Sequence, residues 1–299
     1  MPWGRILTAM VTPFTADGKL DLDGAKKLAA YLVDHGSDGL VVAGTTGESP
    51  ALSHEEKIAL FRAVKEAVGG RAAVIAGTGT NSTAASIELS REAETLGVDG
   101  LMLVVPYYNR PSQEGLYQHF RAIAEAVSLP IILYNIPSRT GRNMDAVTTL
   151  RLAEIKNIVA VKEASGDLDQ ATAIIREAPP DFLLYSGDDS LTLPLMAVGG
   201  YGIISVAAHL VGDKMQAMVR AFVSGDVAGA ATLHRELFPL FKALFITSNP
   251  VPVKEALQML GLPAGPVRLP LVGASPAEKE KIAAALKAAG ILQAFDVAR

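Results

Sequence analysis

The 299-residue sequence has no cysteine, which excludes a disulfide framework, iron–sulfur ligation, thiolate zinc and a thiol nucleophile, and agrees with a reducing compartment. It has no excess of one charge. Its 27 basic and 31 acidic side chains leave a formal net charge of −4 without a long run of either sign, so nucleic acid is not an expected partner. The five histidines, His35, His54, His119, His209 and His234, form no i, i+4 pair and no cluster, so no bound metal is expected. Long hydrophobic runs are missing as well. The longer of two suspect stretches, Ser190 to Val211, is broken by Pro194, Gly199, Gly200 and Gly202 and reads as a helix followed by a strand. The other, Ile6 to Val11, is too short for a secretory core and stops at Thr12-Pro13. The expectation is a soluble cytoplasmic protein, free of membrane contact, whose chemistry uses oxygen and nitrogen groups.

What the chain does have is a 49% hydrophobic content, ample for a core, and a repeated unit. Short apolar, β-branched-rich runs recur at Ile6 to Val11, Gly39 to Ala43, Ala73 to Ala76, Gly100 to Val105, Pro130 to Asn135, Ile158 to Glu163, Phe182 to Ser186 and Gly202 to Ala207. Between them lie stretches with helical spacing, such as His54 to Val68 and Leu168 to Glu177. Runs that are continuously apolar suit parallel strands buried on both faces, joined by helices. Eight such units predict a closed (β/α)₈ barrel; a doubly wound sheet would be expected to carry Gly-x-Gly-x-x-Gly after its first strand, and none is present. Beyond Ala208 the pattern is helical only, with Asp213 to Val223 as its first member. The predicted division is a barrel over 1–224 and a helical extension packed on it over 225–299, with Gln293 to Arg299 a frayed end.

In such a barrel the chemistry gathers where strands end. Lys162 closes the sixth run, and strict alternation puts Ile158, Ala160 and Lys162 on one face, with the small Ala160 leaving room. A desolvated amine has a lowered pKa and becomes a nucleophile able to form an imine with a carbonyl substrate; the alternatives are a head group in water or an ion pair with Glu163. Tyr134 ends the neighbouring strand and would reach that amine to move protons, unless it is simply a core tyrosine. Gly44-Thr45-Thr46-Gly47 offers hydroxyls and free N–H groups to a small carboxylate or phosphate, although either threonine would also serve as a helix cap. Arg139, in a loop at the same rim, suits a second carboxylate. Tyr107 and Tyr108 do not both point inward with ease, which leaves one for another subunit. Asp188-Asp189 would bind Mg²⁺ or, more simply, cap the helix at Ser190.

Together these residues resemble the dihydrodipicolinate synthase branch of the pyruvate-dependent class I aldolase and N-acetylneuraminate lyase family, through Gly44-Thr45-Thr46-Gly47-Glu48-Ser49, Pro106-Tyr107-Tyr108-Asn109, Tyr134-Asn135-Ile136-Pro137-Ser138-Arg139-Thr140-Gly141, Val161-Lys162-Glu163 and Ser186-Gly187-Asp188-Asp189, from Gly4 to about Leu292. The resemblance implies condensation of pyruvate with L-aspartate 4-semialdehyde to 4-hydroxy-tetrahydrodipicolinate, without a dissociable cofactor. It implies an imine on Lys162; a proton relay of Tyr134, Thr45 and a Tyr108 donated by the adjacent subunit; Thr46 on the pyruvate carboxylate; Arg139 on that of the aldehyde; and backbone groups of Gly187 and Ile204 lining the pocket. It also implies a homotetramer built from tight dimers. The alternatives are a lyase releasing pyruvate from a 2-keto-3-deoxy sugar acid or N-acetylneuraminate, and a non-catalytic metabolite-binding barrel. Against the family's lysine-inhibited members, this chain keeps His54, Asn81 and Tyr107 but has Lys57 for a histidine and Ala85 for a glutamate, which predicts weak or absent inhibition by L-lysine.

Overall fold

A computed structural model describes residues 3–292 of the chain. All eight apolar runs are strands: β1 (Ile6–Ala9), β2 (Gly39–Val42), β3 (Ala73–Gly77), β4 (Gly100–Val104), β5 (Ile131–Asn135), β6 (Ile158–Glu163), β7 (Leu183–Ser186) and β8 (Gly202–Ser205). Each pairs in parallel with the next, and β8 closes on β1. Several strands stop short of their runs because the chain turns at the C-terminal rim. At the end of β2, for example, Ala43 takes a left-handed φ of 54°, incompatible with continuing the ladder.

The helices are α1 (Leu22–Asp34), α2 (His54–Val68), α3 (Thr83–Thr95), α4 (Gln113–Ala126), the single turn α5 (Pro137–Thr140), α6 (Ala146–Ala153), α7 (Leu168–Glu177), α8 (Thr192–Ala197), α9 (Ala208–Val223), α10 (Val227–Ala243), α11 (Val251–Met259) and α12 (Pro276–Ala288). Their starts are written locally: Asp21, Ser53, Ser82, Ser112, Asp145, Asp167, Asp226 and Ser275 each accept from an N–H of the first turn, a contact worth about 1 kcal/mol. One boundary differs from expectation. Helix α9 begins at Ala208 rather than Asp213, because the buried Ala208 to Val211 forms a first turn that kinks at Val211 (φ −135°, ψ 31°) before continuing.

Alternation along each strand sorts the apolar side chains into two cores. Leu7, Val41, Ile75, Met102, Ile132, Ala160, Tyr185 and Ile204 fill the barrel lumen, whereas Ile6, Leu40, Val74, Leu101, Leu133, Val161 and Ile203 face the helices. Strict alternation fails once. Between Ile131–Ile158 and Ile132–Ala160 the β5–β6 pairing skips Val159, so Ile158 packs with the outer core and only Ala160 and Lys162 of the predicted trio remain on the lumen side. The irregularity leaves Tyr134 directly opposite Lys162.

The boundary drawn at 224/225 falls in the turn between α9 and α10. After it, α10 packs on α9 and α12, and α11 on α12 and α9. The extension is also tied to the barrel rim by ions. Lys254 of α11 and Glu48 of the loop after β2 are each 1% exposed and 2.8 Å apart. The same amine donates to the carbonyls of Thr12 and Pro266, and the other Glu48 oxygen accepts from the Arg268 N–H. Such a pair adds modestly while whole, but removing one partner strands a buried charge at a cost of about 3–5 kcal/mol. The frayed end predicted at Gln293 to Arg299 lies outside the described residues. Among the described residues no helix is long and apolar enough to cross a membrane.

Candidate active site

The loops after β2, β3, β4 and β5 enclose a cavity of about 250 Å³ at the C-terminal mouth, lined among others by Gly44, Thr45, Gly79, Tyr107, Tyr134 and Arg139. Four of the side chains singled out by sequence thus share one wall. Lys162, Thr46, Gly187 and Ile204 are not among the lining residues; the Lys162 amine lies 4.3 Å from the centroid of the Tyr134 ring, which does line the cavity.

Lys162 is 4% exposed, and its amine faces the Tyr134 ring rather than forming a hydrogen bond or ion pair with another described residue. Burial lowers its pKa from 10.5 to about 8, outweighing the attraction of Asp189, and Arg139 pushes in the same direction as burial. The ion pair with Glu163 does not form. Alternation turns Glu163 to the other side of β6, where its carboxylate accepts from the side chains of Asn135 and Gln170 and from the Ser165 N–H. Tyr134 is 3% exposed; burial raises its phenol to about 12, with the Thr45 hydroxyl beside it pulling the other way.

Gly187 is fixed by the lysine. A Cβ there would lie 3.2 Å from Lys162 Cε and 2.5 Å from Ala164 Cβ, so any side chain would press on the lysine stem. Ile204 is fully buried in the lumen, paired with Leu7 of β1. Neither threonine caps a helix: the 3₁₀ turn after them, Ser49–Ala51, starts at Glu48 without a side-chain cap, and the Thr46 hydroxyl accepts from Asn249 Nδ2 at 2.9 Å. Arg139, on α5, is exposed at the rim and donates from Nη2 to the Asn249 carbonyl. Tyr107 lines the cavity, whereas Tyr108 is 91% exposed on a left-handed backbone with φ of 71°.

The two aspartates part company. Asp188 caps the turn at Ser190, but Asp189 is buried, accepting from Ser205 Oγ and the N–H groups of Val206 and Ala207, with burial raising it to about 6. Its field reaches Lys162, a role not anticipated. Asn249 and Lys254 were also missed. Lys254 had a signal, since it sits three residues from both Val251 and Leu257 on the apolar stripe of α11; Asn249, in a loop, had none. Among the described residues no three His, Asp or Glu side chains gather to hold a metal. On α2 and α3, His54 pairs with Glu92 at 2.6 Å, burial lowers the Lys57 amine, and Ala85 is exposed.

The Dihydrodipicolinate synthetase family model matches residues 2–289. The chain is 89% identical over 292 residues to a 4-hydroxy-tetrahydrodipicolinate synthase of Moorella thermoacetica, covering 98% of this chain and all of the relative. It is 63% identical over 290 residues to the same enzyme of Desulforudis audaxviator, covering 97% and 99%. The crystal structure of the dihydrodipicolinate synthase of Cyanidioschyzon merolae with lysine bound superposes with a TM-score of 0.96 at 51% identity, over 97% of this chain and 99% of that one.

Proposed function

This chain belongs to the dihydrodipicolinate synthetase family, and we propose that it condenses pyruvate with L-aspartate 4-semialdehyde to give 4-hydroxy-tetrahydrodipicolinate, on the way to diaminopimelate and lysine. The observation that carries this reading is an amine without a partner, buried beside the cavity and lowered to about 8. As a free base it adds to the ketone carbon of pyruvate; loss of water leaves an imine. That imine is the electron sink, so no dissociable cofactor is needed: the methyl group gives up a proton, and the resulting enamine carbon bonds to the aldehyde carbon of the second substrate.

Tyr134, its phenol protonated at neutral pH, hands protons to and takes them from the reacting atoms through Thr45. Thr46 holds the carboxylate of pyruvate, Arg139 that of the semialdehyde, and Gly187 and Ile204 present backbone groups. The exposed Tyr108 completes the relay of an adjacent subunit in a homotetramer made of two dimers. A cytoplasmic setting suits a chain without cysteine. Arg139 favours this reaction over sugar-acid cleavage, because a small acidic aldehyde calls for a cation whereas a polyol calls for neutral partners.

Borohydride reduction in the presence of pyruvate tests the reading. Wild type should gain the mass of one reduced pyruvyl group per chain and Lys162→Ala none; a Lys162→Ala protein that still traps pyruvate refutes it.

A further inference from the structure

Asn249 stands outside the roles assigned above, yet it touches both residues that take a carboxylate. It is 6% exposed and lies in the loop between α10 and α11. Its side-chain Nδ2 donates to the Thr46 hydroxyl at 2.9 Å, while its main-chain carbonyl accepts from Arg139 Nη2 at 3.3 Å. We propose that Asn249 is a positioning residue for pyruvate, acting through Thr46: by donating to the threonine oxygen it leaves the hydroxyl proton free to be given to the substrate carboxylate.

Hydrogen-bond polarity carries the inference. An amide N–H only donates, so Thr46 Oγ1 is the acceptor in this contact and its own hydrogen must point elsewhere. No other hydrogen bond engages that hydroxyl among the described residues. The opposite amide rotamer would present Oδ1 and take the proton, making the hydroxyl useless to an anion. In this rotamer Oδ1 is buried without a partner and the one side-chain bond of Asn249 is the one to Thr46. The Arg139 contact uses the main chain and survives any change of side chain at 249. A side-chain substitution should therefore act on one substrate only.

The inference rests on Thr46 as the holder of pyruvate, and the experiment separates the two. Steady-state kinetics with each substrate varied should show that Asn249→Leu raises the KM for pyruvate about tenfold while the KM for the semialdehyde stays within about twofold. Asn249→Asp keeps the shape but only accepts, so it should turn the Thr46 proton away and raise the pyruvate KM at least as far, which keeps the test open if the leucine variant folds poorly. Thr46→Val should show a similar rise, and the Thr46→Val, Asn249→Leu double variant should be no worse than the worse single one. Equal rises for both substrates, or additive losses, would mark a merely structural residue and overturn the inference. If Thr46→Val raises the pyruvate KM but neither Asn249 variant does, the inference alone falls. If Thr46→Val itself has no effect, the assignment of Thr46 is wrong and the inference goes with it.

Discussion

Lys162→Met should make the protein more stable while destroying imine formation. Methionine fills nearly the same volume as the lysine stem, so the change removes a buried charge with little repacking. Lowering the amine from 10.5 to about 8 corresponds, at 1.36 kcal/mol per pH unit, to about 3 kcal/mol by which the ammonium disfavours the native state. The sign follows from where the proton sits. Below pH 8 native and unfolded chains both carry it, and the penalty is whole. Between pH 8 and 10.5 the unfolded chain holds it and the native chain does not, so the penalty shrinks, and above 10.5 it is gone. Denaturant unfolding of both proteins at pH 7, 8, 9 and 10 should therefore show the variant ahead by about 3 kcal/mol at pH 7 with a gap that closes as pH rises. Other titrating groups are common to both proteins and cancel. A variant no more stable than wild type at pH 7, or a gap that does not change with pH, would refute the claim that burial of the amine outweighs the attraction of Asp189.

The other buried lysine should behave in the opposite way: Lys254→Met leaves Glu48 buried without a cation, and denaturation should show a loss of about 3–5 kcal/mol; an unchanged midpoint would mean that Glu48 finds another donor. Arg139→Ala should lower turnover of the semialdehyde by about ten- to a hundredfold, the loss of one charge-assisted hydrogen bond, while pyruvate trapping by borohydride persists; unchanged turnover rules out Arg139 as the carboxylate holder. Mixing Lys162→Ala chains with Tyr108→Phe chains under subunit exchange should recover activity that neither has alone, and mixed oligomers seen by native mass spectrometry without recovery would place Tyr108 outside the relay. L-lysine should inhibit weakly, since Ala85 offers no carboxylate and Lys57 adds like charge, a loss of at least about ten- to a hundredfold in affinity; sub-millimolar inhibition in a kinetic titration would show that another acidic group has taken over.

Where local rules govern, the sequence could be read closely. Lys162 and Tyr134 stand at strand ends, with Thr45 and Arg139 in the segments just after β2 and β5, because parallel βα units bring all such ends to one mouth. The misplacement of Ile158 has a different origin: the skipped Val159 belongs to the pairing of two strands and leaves no mark in the pattern of either. Asp188 and Asp189 are adjacent and alike, and only the 3₁₀ turn decides which is buried. The hydrogen bond of Asn249 to Thr46 spans 203 residues of sequence separation, beyond the reach of any local pattern. Lys254 was legible in principle, as a cation on an apolar helical stripe whose counter-ion had to be sought elsewhere in the chain.

The tie between Lys254 and Glu48 also sets an order in time. The two residues are 206 positions apart, so at a synthesis rate of about 5–20 residues per second a ribosome makes the glutamate about 10 to 40 s before the lysine. Throughout that interval the loop bearing Thr45 and Thr46 cannot close over Glu48 without burying a bare carboxylate. In a nascent chain, closing the rim over Glu48 before Lys254 has emerged would leave the carboxylate without the amine it pairs with in the finished protein, at a cost of about 3–5 kcal/mol. The closed rim is thus a property of the finished polypeptide, in which a late helix supplies the counter-charge for a loop made near the beginning.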